Sequence, residues 1–113
     1  MKPFDFNNKT FCLVDNSSEG KVNTDTLFQY SQQDQLVEAT YKGGPIVKGN
    51  IMTTLETDTL SMLYHCLTIE NELKAGQAEA KVILNKDEKI ELHLDWKWIG
   101  SHKGAGTSIY VEV

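Results

Sequence analysis

The sequence carries no cluster of lysine or arginine, and its formal charge is −5 with a pI near 5.1. Nucleic acid and anionic lipid surfaces both select for grouped cations, so neither is expected as a partner. No apolar run approaches the roughly 18 residues of a membrane helix. The opening MKPFDFNNKT lacks the apolar segment of a signal peptide. These absences point to a cytoplasmic protein. Cysteine is scarce: Cys12 and Cys66 lie far apart and read as reduced thiols rather than a bridge. The histidines His65, His93 and His102 show no metal-ligand spacing, so no metal site is expected. No Gly-Lys-Ser/Thr loop precedes a helix, so no nucleotide cofactor is expected. The sequons at Asn8 and Asn16 carry no meaning without secretion.

What is present is alternation. In KIELHLDWKW (89–98), Ile90, Leu92, Leu94, Trp96 and Trp98 share one face, and Glu91, His93, Asp95 and Lys97 the other. A half-buried strand produces this pattern and an amphipathic helix does not. Strands are likewise expected at 9–15, 26–32, 36–42, 46–55, 60–69, 75–84 and 107–113. Turn-forming residues punctuate them, including NSSEG (16–20), NKDE (85–88) and GSHKGAG (100–106). Segment 75–84 also has helical propensity through its Ala, Glu and Lys content, but Gly76 and its alternation favour a strand. Short connections force neighbours antiparallel. The expected fold is all-β: a single eight-stranded antiparallel up-and-down barrel over residues 1–113, with 1–8 a loose N-terminal extension.

The glycine-rich YKGGPIVKGN (41–50) fits this frame as a hairpin. Gly43-Gly44 is expected as a two-residue turn, with Pro45 starting the next strand. Gly49 then marks a bulge or a close backbone approach.

Chemistry is thinly represented. His65 and Cys66 are adjacent and so point to opposite faces, which prevents a dyad between them. His93 and Asp95 share the charged face and read as a surface pair. GSHKGAG reads as a hairpin loop at the barrel mouth. The aromatics carry more. Phe28, Tyr30, Tyr41, Tyr64, Trp96 and Trp98 come from separate strands and are the expected walls of a ligand pocket. The same rings would serve equally as plain core. Small residues Gly49, Gly76, Ala78 and Ala80 leave space opposite bulky groups or a ligand. Thr40, Asn50, Thr53 and Thr68 are the nearby polar candidates.

TLFQY, VEATYKGGPIVKG, MLYH and LDWKW together resemble a family of small bacterial avidin-like, calycin-type (lipocalin-like) β-barrel proteins. The resemblance runs from near residue 9 to the end. It rests on the ordered Tyr41, Gly43, Gly44, Ile46, Gly49 spacing and the Trp96/Trp98 pair. Many members carry the automatic name N-acetylglutamate synthase. Acetyltransferases of that activity use an α/β fold with a pyrophosphate loop, and this sequence has no acetyl-CoA-binding motif. Members often place an acidic residue where Leu94 stands here. The resemblance implies an avidin-like barrel and supplies no catalytic residues.

The expected function is binding of a small, partly apolar molecule inside the barrel. One alternative is a small barrel enzyme drawing acid/base groups from Glu38, His65, Glu79 or Asp95. Another is a non-catalytic assembly protein that forms a homodimer through its outer face.

Overall fold

The computed structural model describes residues 4–16, 24–100 and 104–113. Eight strands close into one barrel: β1 (Lys9–Asn16), β2 (Leu27–Gln33), β3 (Leu36–Gly43), β4 (Ile46–Glu56), β5 (Thr59–Thr68), β6 (Leu73–Leu84), β7 (Ile90–Ile99) and β8 (Ala105–Glu112). Each pairs antiparallel with its chain neighbours, and β1 pairs with β8 to complete the ring. Closure removes the exposed strand edges that an open meander would leave. The alternation expected at 75–84 and 89–98 is the observed inside–outside alternation of β6 and β7. Residues 17–20 of NSSEG and the centre of GSHKGAG, including His102, lie outside the described residues.

The turns between strands follow local chemistry. Asn85 Oδ1 accepts from the amides of Asp87 and Lys89 at 2.8 and 3.0 Å, which folds the β6–β7 connection. Thr68 Oγ1 accepts from the Glu72 amide at 3.1 Å between β5 and β6. The β3–β4 turn differs by one residue from expectation. Gly43 pairs with Ile46, so the two turn residues are Gly44 and Pro45 rather than Gly43 and Gly44. Gly44 takes φ 58° while the Pro45 ring fixes a negative φ, a combination suited to a tight hairpin. The bulge also moves. The register shifts across Val47–Lys48, where two successive residues face outward, and Gly49 is instead a point of close approach.

Residues 4–8 are not a loose extension. Phe6 is fully buried at one end of the barrel, its ring 5.9 Å from Phe11 and 5.6 Å from Tyr30. Its amide donates to Gln32 Oε1 at 2.8 Å. The sequence places Phe6 three residues before the first strand, where alternation gives no guidance. Its burial shuts this end of the barrel over Val37, Leu60, Val82 and Leu92.

The seam is held beside that plug. Glu112 on β8 accepts from the Ile90 amide of β7 at 2.9 Å and from Lys9 Nζ of β1 at 3.1 Å. Burial works to raise the Glu112 pKa, but the Ile90 amide and Lys9 outweigh it and hold the carboxyl below its ordinary value. A depressed folded-state pKa adds stability that is present above the unfolded pKa and lost as pH falls through the folded one. Glu112→Gln should therefore cost on the order of 1–3 kcal/mol at neutral pH. Its melting temperature should also fall less than the parent's on acidification below the ordinary glutamate range, as read by circular dichroism at a series of pH values. Parallel pH profiles for the two proteins would refute the clasp.

Candidate functional site

Inward residues of β4 to β7 form rows across the sheet. Ile51, Tyr64, Gly76 and Trp98 make one row, and Thr53, Met62, Ala78 and Trp96 the next. In each row one small residue, Gly76 or Ala78, sits between two large ones. A Cβ added at Gly76 would fall on the Tyr64 ring, and one at Gly49 on the Tyr41 ring. The small residues on these faces therefore accommodate tyrosines rather than leaving open space. Tyr41 lies flat against Phe28 at 4.7 Å, and Phe28 meets the edge of Tyr110 at 4.8 Å. Nearer the other wall, Trp98 contacts Tyr64 at 5.9 Å and Trp96 at 5.7 Å.

These rings leave a cavity of about 50 Å³ in the half of the barrel away from Phe6. Phe28, Tyr30, Tyr41, Tyr64, Trp96 and Trp98 all line it. Ile51, Met62, Cys66, Leu94, Ser108 and Tyr110 complete much of the wall. Tyr64, Leu94 and Trp98 are half-buried, so the cavity is reached on their side.

Polar groups are few and mostly satisfied. Trp96 Nε1 donates to Ser108 Oγ at 2.8 Å, and Tyr41 Oη donates to the His65 carbonyl at 3.3 Å. The Tyr64 hydroxyl has no hydrogen-bond partner among the described residues. Burial pushes the phenols of Tyr30, Tyr41, Tyr64 and Tyr110 far above their ordinary value. They remain neutral hydroxyls at any physiological pH. Such a lining can bind and orient a molecule, but it offers no tyrosinate base.

Several residues read from the sequence lie elsewhere. Glu38, His65, Glu79 and Asp95 are all exposed on the outer wall, so the enzymatic alternative loses every acid/base group it named. Their outward phase follows from strand alternation once Tyr64, Ala78 and Trp96 point in. His93 pairs with Glu91 at 3.0 Å rather than with Asp95. Thr40 faces outward and Asn50 is half-buried beside it across the ladder, while Thr53 and Thr68 are buried without lining the cavity. Among the described residues, no group of three His, Cys, Asp or Glu side chains could hold a metal.

The sequence reading missed Lys74. It takes the inward phase of β6, two residues before Gly76, and is 7% exposed. Its Nζ stands 4.5 Å over the Trp98 ring. Extending the alternation of Gly76, Ala78, Ala80 and Val82 back by one step would have found it.

A closed eight-stranded meander with an aromatic-walled interior matches one sequence family. The profile described as Avidin-like protein matches residues 4–113. The chain belongs to the avidin-like family. Searches of curated proteins and of solved structures return no match. Avidin-like membership suggests a small-ligand-binding barrel. It agrees with the fold expected from alternation and with the resemblance carried by the Tyr-Gly-Gly and Trp-x-Trp motifs.

The two glycines of this avidin-like barrel should respond differently to a methyl group. Tyr41 is buried and stacked, so Gly49→Ala should lose about 1–3 kcal/mol. Tyr64 is half-buried at the cavity's open side and can swing outward, so Gly76→Ala should stay within about 1 kcal/mol of the parent. Urea denaturation of both variants measures the difference, and equal losses would contradict it.

Proposed function

We propose that this protein is a cytoplasmic binding module that holds a small, partly apolar molecule in the half of the barrel away from Phe6. The observation that carries the reading is the aromatic-walled cavity, partly open past Tyr64 and Trp98. Family membership supports it. Apolar walls with a few fixed polar groups are the usual form of a small-molecule site. At about 50 Å³ the space is well below the roughly 300 Å³ of a drug-sized pocket. A few heavy atoms fit without wall movement, so the occupant is small or inserts only its tip.

Native mass spectrometry of freshly purified protein, compared with its denatured mass, tests this reading. The expected result is added mass that disappears on denaturation, or that returns when small apolar compounds are supplied. Ile51→Phe places an extra ring on the cavity wall and should remove that added mass while leaving the barrel folded. Cargo that survives Ile51→Phe unchanged, or no cargo under any supply, would defeat it.

The outer wall favours a second reading, self-association. Met52 on β4 and Leu63 on β5 lie directly opposite each other and are 60% and 61% exposed. A homodimer would bury this pair against its symmetry mate. Light scattering should then show a dimer that the double change Met52→Lys and Leu63→Lys converts to a monomer. A parent that is monomeric at every concentration would overturn it.

A further inference from the structure

Lysine is almost never buried without a partner, because removing an ammonium group from water is costly. Lys74 is 7% exposed, and no carboxylate pairs with it among the described residues. The contrast lies within the same chain: Lys9 meets Glu112 and Lys81 meets Asp58. Among the described residues its Nζ stands 4.5 Å over the face of Trp98. No buried side-chain nitrogen or oxygen there lacks a partner, so the Lys74 stem is buried while its Nζ still meets water.

Its position gives that charge a use. Lys74 pairs across the ladder with Cys66, and both Cys66 and Trp98 line the cavity. Lys74 lies one residue from the start of β6, at the barrel end away from Phe6, so its charge stands at the rim beside Trp98. Trp98 is also in edge contact with Tyr64, whose hydroxyl lacks a hydrogen-bond partner among the described residues. One ammonium and one free hydroxyl thus converge on a single indole at the entrance to an apolar chamber. A molecule that complements this arrangement has one negative charge, at least two acceptor positions and a short apolar body. A phosphate group would call for more donors than these two.

We propose that the barrel mouth binds a small monocarboxylate, with its carboxylate on Lys74 and the Tyr64 hydroxyl and its apolar tail in the cavity beside Met62 and Trp96. This rests on the binding-module reading and names the ligand class for that same site. The cavity volume restricts the tail to a few heavy atoms. Longer chains must move Trp98 or stay outside.

The test compares butanoate with its neutral counterpart butanamide at constant ionic strength. Titrations follow the fluorescence of the chain's two tryptophans, both of which line the cavity. Butanoate should bind at least about tenfold more tightly than butanamide, because a charge-assisted bond is among the stronger polar contacts. Lys74→Met keeps the length and apolar stem of the side chain and should erase that preference while butanamide still binds. Should Lys74→Met fail to fold, Lys74→Gln serves instead: it removes the charge, keeps a polar end, and should likewise bring butanoate down to the affinity of butanamide. Equal affinity for acid and amide in the parent, or an acid preference that survives Lys74→Met, would overturn the carboxylate assignment alone. Binding of neither compound would overturn that assignment and the binding-module reading together.

Discussion

Two tyrosine rings pressed against two glycine backbones set the interior of this barrel. Eight antiparallel strands enclose a space only about as wide as interlocking side chains can fill. Tyr41 occupies the place of a side chain at Gly49, and Tyr64 does the same at Gly76. Each ring is thereby drawn toward one wall instead of crossing the axis. The stack of Phe28 on Tyr41 and the Tyr64–Trp98–Trp96 group follow from those placements. The remaining void lies between the two groups, so the cavity is a by-product of where glycine sits in β4 and β6.

The two ends of the barrel differ in how fully they are closed. One end is apolar to its limit, plugged by Phe6 and tied across the β1–β8 seam by Glu112. The other end carries half-buried aromatic groups and a lysine without a carboxylate.

Much of the fold was legible because period two dominates the chain. Once Leu92, Leu94, Trp96 and Trp98 shared a face, the strand at 90–99 and its neighbours followed. The inward direction of Phe28, Tyr30, Tyr41, Tyr64, Trp96 and Trp98 was readable for the same reason. Three features were not. Phe6 lies outside any strand, so its burial depends on contacts between distant parts of the chain. The β3–β4 turn moved by one residue, since Gly43 and Gly44 both accept positive φ and pairing decides between them. Lys74 fell just before the expected strand at 75–84, because β6 begins earlier, at Leu73. Alternation names the face of a residue but not the depth at which a charged one is placed.

The chain ends share one side of the molecule. Residues 4–8 cover the plugged end, and the Val113 amide donates to the Thr10 carbonyl beside it at 2.8 Å. The described chain thus begins at residue 4 and closes at residue 113 on the side opposite the mouth. A tether, a surface anchor or a fused reporter placed at either terminus would hold the barrel with its entrance facing outward.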